Sequence, residues 1–172
     1  MRRALSEPPK TRLVVAAMWS ESLAETDAVT ACELAYGPVA SKTEPYRFDH
    51  TPYYTNEMGE ALSKRFIEFE ASLARDSLPD LKKMAIGIED RFLRDGARAL
   101  NVDPMLVSLE NVVVATSKNF PHRIYLGDGV YGDLQLIRRR TGFEGLQWTY
   151  KDYLEQRLFF EQIHARMRAI NG

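Results

Sequence analysis

The chain has 172 residues, 45% of them hydrophobic and 10% aromatic, with 23 Lys and Arg against 24 Asp and Glu and a formal charge of -1. Such a length suits one domain, and the hydrophobic fraction excludes an intrinsically disordered chain. Balanced charge excludes a global field that would draw the protein onto nucleic acid or an anionic membrane, and the single Cys32 excludes an internal disulfide or a cysteine-built metal cage.

Residues 1–11 read as a flexible arm, because Glu7, Pro8, Pro9 and Lys10 interrupt any apolar leader, and residues 12–172 as one globular domain. No stretch approaches the roughly 20 apolar residues that a membrane helix needs. With one cysteine, a cytoplasmic protein without a membrane partner is expected.

"RLVVAAMWS" (residues 12–20) is a Val- and Ala-rich run that predicts a buried strand. Ser22 followed by Glu25 has the spacing of a capping box, and Ala28, Ala31, Cys32 and Ala35 continue as a helical stripe until Gly37 and Pro38 stop it. "VASKTEPYRF" then predicts an edge strand, since Pro45 cannot donate to a ladder.

The loop "DHTPYYTNEMG" is longer than a hairpin needs and rich in polar and aromatic groups. Beyond it, Leu62, Phe66, Phe69 and Leu73 recur at helical spacing and predict an amphipathic helix over residues 60–73. A second helix is expected from Ser77 and Pro79, with Leu81, Met84, Ala85, Ile88 and Phe92 on its apolar side.

Residues 109–118 are open between strand and helix: Val112, Val113 and Val114 favour a strand by β-branching, while Ser108 could cap a helix. "RIYL" and "VYGDLQLI" around "GDG" predict a hairpin, and a closing helix is expected from Asp152, with Leu154, Leu158, Phe159, Ile163, Met167 and Ile170 inward. The sum is an α+β (mixed α/β) fold, one central, largely antiparallel sheet with helices packed mainly on one face and a C-terminal helix.

Four blocks, "AYGPV", "FDHTPYYTNEMG", "NVDPMLVSLENVVVATSKNFPHRIYLGDGVYGDL" and "GFEGLQWTYKDY", resemble the bacterial family filed as domain of unknown function 4416. The resemblance implies a single domain of this length and no reaction. Some members carry a GTP-binding label, yet no G-x-x-x-x-G-K-[ST] occurs here, so binding by a P-loop is disfavoured.

The residues themselves point to an anion site between the 49–57 loop and the 118–125 segment. Arg123 offers a planar fork to phosphate or carboxylate, His122 can move a proton near neutral pH, and Asp103 can orient one of them. Those two, His122 and Asp103, are the candidate catalytic groups. Lys118, Tyr125, Asp49, His50, Tyr54 and Trp148 complete the candidate ligand set with Arg123. The structural alternative has Arg123 paired with a carboxylate such as Asp103 and His122 capping the turn after Pro121.

No metal-ligand spacing is present, no cofactor is assigned, and oligomeric state stays open. An anionic small molecule is the expected partner, with or without catalysis. The other reading is a non-catalytic module that meets RNA or a partner protein through residues 138–153, where Arg138, Arg139 and Arg140 precede Trp148 and Tyr150. Nucleic acid is the less favoured of the two partners.

Overall fold

Strand β1 (Thr11–Ser20) is apolar on both of its sides, and a strand with two apolar sides must lie in the middle of a sheet covered twice. In the computed structural model, which describes residues 5–171 except the side chains of Pro52, Ile170 and Asn171, it does. Of the expected arm, residues 1–4 lie outside the described residues, and residues 5–10 are exposed without regular structure.

The neighbours of β1 are β4 (Leu62–Leu73) and β7 (Leu100–Val107), both antiparallel. With β8 (Asn111–Thr116), β10 (Val130–Arg139), β11 (Gly142–Gly145) and β2 (Val39–Lys42), the order is β11-β10-β8-β7-β1-β4-β2. Strand β3 (Tyr46–Phe48) adds to β4, β9 (Arg123–Gly127) adds to β10, and the small strands β5 (Leu93–Arg94) and β6 (Ala97–Arg98) form a separate hairpin. The single expected strand over residues 39–48 is thus two short ones on either side of Pro45.

Leu13, Val15, Ala17 and Trp19 of β1 pack under helices α1 (Glu25–Tyr36) and α3 (Leu78–Asp90). Val14, Ala16, Phe66 and Met105 pack on the opposite face, under Tyr153 of α4 (Lys151–Glu155) and Phe159, Phe160, Ile163 and Met167 of α5 (Arg157–Asn171). The α+β class, the large antiparallel sheet and the C-terminal helix are as expected. The helices divide between the two faces rather than gathering mainly on one, because the alternating apolar residues of β1 leave neither face able to stay wet.

The amphipathic helix expected over residues 60–73 is instead the long strand β4. Alternation explains it: Leu62, Lys64, Phe66 and Glu68 share one face while Arg65, Ile67 and Phe69 share the other. The charges that spoiled this pattern are buried on the strand and paired: Arg65 meets Glu25, Glu68 meets Arg166, and Lys64 meets Asp152.

Residues 109–118, open in sequence, form β8. Ser108 caps no helix; its Oγ accepts the Glu110 and Asn111 N–H groups (3.1 and 2.9 Å) and tightens the turn between β7 and β8. The closing helix breaks at Gln156, which divides α4 from α5 and leaves Leu154 and Leu158 exposed rather than inward. The "GDG" corner is a hairpin turn with positive φ at Gly127, Asp128 and Gly129 (125°, 52° and 77°).

Candidate functional site

A split in the sheet makes the site. Strands β7 and β8 pair only at Met105–Val107 with Val112–Val114, while β7 runs back to Leu100 beside β1 and β8 runs on to Thr116 beside β10. Past Met105 the two have no ladder in common, and a cavity of about 230 Å³ lies there, lined by both strands.

Its first wall is a network of buried and half-buried polar groups on α3, β6 and β7. Lys82 Nζ donates to Asp103 Oδ1 (3.0 Å) and to the Val102 carbonyl (3.2 Å), and Asn101 Nδ2 donates to Asp103 Oδ2 (2.8 Å). Arg98 Nη1 donates to Asn101 Oδ1 and Glu89 Oε2 (3.0 and 3.2 Å), while Glu89 Oε1 accepts the Val102 N–H at 2.7 Å. Burial works to raise the Asp103 carboxyl, but Lys82 and Asn101 outweigh it and hold the group below its ordinary value. Burial dominates at Glu89 and pushes that carboxyl up despite Lys82 and the Val102 N–H.

Asp133 organises the second wall, on β9, β10 and the segment before α4. Its Oδ2 accepts from Arg123 Nε at 2.8 Å, and its Oδ1 accepts from Gln135 Nε2 at 2.7 Å and lies 3.5 Å from His122 Nε2. Because β9 begins at Arg123, His122 stands outside the strand alternation and both residues reach one carboxylate. The remaining Arg123 nitrogens donate to the Lys118 carbonyl (2.9 Å) and the Tyr150 hydroxyl (3.3 Å).

The 49–57 loop closes one end. It winds into a 3₁₀ turn (Pro52–Tyr54) and the short helix α2 (Thr55–Met58). Met58 is buried with Met18, Phe48 and Leu62, and Arg98 grips Glu57 through two hydrogen bonds of 2.6 and 2.8 Å. That fork holds the Glu57 carboxyl below its ordinary range. Fixed at this point, the loop presents Tyr53 and Tyr54 to the cavity.

A second cavity, about 500 Å³, borders the first and shares Phe48, Thr51, Tyr53, Tyr54, Lys118, Arg123 and Tyr150 with it. His122 stacks on Trp148 in its wall, ring centroids 4.6 Å apart and planes 20° from parallel, and Trp148 Nε1 donates to the Leu134 carbonyl at 2.8 Å.

Of the residues read from sequence, Arg123, Lys118 and Tyr54 line both cavities, Asp103 the first, and His50, His122 and Trp148 the second. Asp49 and Tyr125 are exposed and line neither; Tyr125 packs against Tyr131 on the hairpin. Asp103 contacts Lys82 and Asn101 rather than His122 or Arg123, and the carboxylate beside those two is Asp133.

Sequence reading missed Lys64, Lys82, Arg98, Asp133 and Asp152. A signal existed for two of them: Lys82 interrupts the apolar stripe of α3 between Leu81 and Ala85, and Lys64 alternates with Leu62 and Phe66. A cation on an apolar face needs a buried partner.

The family model described as Domain of unknown function (DUF4416) matches residues 9–168. The chain belongs to that family. No curated protein and no solved structure matches the chain. The cleft draws on strands, loops and helices between Met18 and Tyr153, within the span that matches the family.

Among the described residues no group of His, Cys, Asp and Glu has the clustering of a metal site, and no helix is long and apolar enough to cross a membrane.

Proposed function

We propose that the cleft binds a small molecule through a phosphate or carboxylate, held by Lys118 and Arg123 at the rim the two cavities share. The observation that carries this reading is the state of Lys118. Lys64, Lys82, Arg98 and Arg123 each have a carboxylate partner, whereas Lys118 has no ion pair among the described residues. Its ammonium sits 3.9 Å from the centre of the Tyr53 ring and donates to the Tyr53 hydroxyl. An exposed cation held in place by a ring, next to a guanidinium already oriented by Asp133, is prepared to meet an anion.

Catalysis forms a second tier of this proposal. His122, against Asp133 and Trp148, is the group placed to move a proton, and Asp103 acts through the Lys82 ammonium it holds. A cytoplasmic setting, in keeping with the single buried Cys32, belongs to the same reading.

The module reading has less support. Arg138 is paired with Glu161 and Arg139 lies 3.8 Å from Glu144, while Trp148 and Tyr150 line the cleft and none of the three arginines does.

A thermal-shift screen against phosphorylated and carboxylated metabolites tests the proposal. A ligand at one hundred times its dissociation constant adds about 2.7 kcal/mol, which raises Tm by roughly 5 to 10 °C in a chain of this size. Lys118→Ala should remove the shift without altering the unliganded Tm. A panel that gives no shift, or a shift that survives Lys118→Ala undiminished, overturns the reading. Binding of short RNA with a steep salt dependence would favour the module instead.

A further inference from the structure

We infer that the ligand of this cleft is a flat ring compound bearing its anion on one side and a hydroxyl or N–H donor on another, and that the donor meets Asp152 Oδ1. The inference rests on the anion-binding reading above and adds the rest of the molecule to it.

The ring comes from the second cavity. Tyr53, Tyr54, Phe120, His122, Trp148 and Tyr150 line a space of about 500 Å³, which falls within the range that small-molecule sites occupy. Aromatic walls favour a flat partner that can stack or meet an edge.

The donor comes from an orphaned atom. Asp152 is 1% exposed and lines this cavity; its Oδ2 receives the Lys64 ammonium and the Tyr46 hydroxyl, the latter at 3.0 Å. Its Oδ1 is buried and has no hydrogen-bond partner. Buried polar atoms in native proteins are nearly always satisfied, and an ionised carboxylate only accepts. Whatever satisfies it must donate. A second fully ionised phosphate or carboxylate at that end would leave it unsatisfied, so polarity runs along the ligand from anion to donor.

Calorimetric titration of the whole chain with inorganic phosphate, phenyl phosphate, and 3- and 4-aminophenyl phosphate separates the parts. Phenyl phosphate should bind more tightly than inorganic phosphate, and at least one aminophenyl isomer about tenfold more tightly again, as a hydrogen bond to a charged acceptor allows. Asp152→Asn should erase that last gain, so that phenyl phosphate and the aminophenyl phosphates bind the variant alike. Equal affinity of phenyl and both aminophenyl phosphates in the wild type overturns the donor assignment while the anion reading stands; a gain that persists in Asp152→Asn overturns the assignment to Asp152. If Asp152→Asn does not fold, the wild-type series alone decides, and if no phosphate probe binds, the anion reading and this inference fall together.

Discussion

Arg123 on β9 is held by Asp133 on β10, across the hairpin that the "GDG" turn creates, with Nε 2.8 Å from Oδ2 and both side chains buried. The same carboxylate lies 3.5 Å from His122. One hairpin therefore turns a corner and fixes an imidazole and a guanidinium at the edge of a cleft.

Removing either member of that pair strands the other. Asp133→Ala should destabilise the fold by about 3 to 5 kcal/mol, the loss seen when a buried pair is broken from one side. Arg123→Ala should cost a similar amount, and the double variant less than the sum, because the stranded charge is then gone. Urea unfolding of the four proteins measures the coupling. Additive losses would show that the pair is not coupled.

Lys82 and Asp103 give the stability curve its acid side. The Asp103 carboxyl is held below its ordinary value, so its contribution is fully present above about pH 4 and is lost as pH falls through the folded-state pKa. Lys82 is held above its ordinary value, with burial opposing and Asp103 and Glu89 prevailing, so its contribution is lost only as pH rises beyond the usual lysine range. Lys82→Met should therefore fall furthest below the wild type near neutrality, and the gap should narrow toward pH 3. Urea midpoints at several pH values provide the check, and a gap independent of pH would remove this pair from the acid limb.

Gly142 has φ +144°, and a Cβ there would stand 2.7 Å from Glu161 Oε1. That oxygen accepts the Phe143 N–H at 2.5 Å, while the other oxygen of Glu161 pairs with Arg138. Gly142→Ala should cost about 1 to 3 kcal/mol through backbone strain and the displaced carboxylate. Thermal unfolding measures the loss. Gly145→Ala should cost less, since its nearest neighbour is the end of the half-exposed Leu154 side chain.

Cys32 is fully buried on α1, and burial pushes its thiol up to about 12. In the native protein it should resist a thiol-reactive dye at pH 8 and react at the rate of unfolding when urea is added. Fast labelling without denaturant would contradict the packing of α1 on the sheet.

The helical spacing of Leu62, Phe66, Phe69 and Leu73 shows how far local pattern carries. It is genuine, but the strand is apolar on both sides, and the lysine, arginine and glutamate between those residues have partners on α1, α4 and α5 that local spacing does not reveal. The "RIYL–GDG–VYGDL" hairpin was legible because its determinants lie within the turn itself. Lys118, Arg123 and Tyr54 were legible as polar or aromatic residues in loops and at a strand start. Asp133 and Asp152 were not, because a lone acidic residue in a strand or first helical turn looks like solvated surface until its partners are known.

Legible from the sequence alone were the mixed class, the strand of residues 12–20, the helices after Ser22 and Ser77, the corner at Gly127–Gly129 and a closing helix. These follow from side-chain periodicity and from proline and glycine geometry within a few residues, whereas the expected capping box does not form: α1 starts after Ala24, and Glu25 pairs with Arg65 instead. The tertiary structure alone decided that β7 and β8 part to leave a cleft, that Asp133 rather than Asp103 holds Arg123, and that Asp152 lies buried against Lys64 with one oxygen unpaired. Each depends on side chains meeting across different elements of the fold. Charge pairing in a buried site is chosen by proximity in space, which no local pattern encodes.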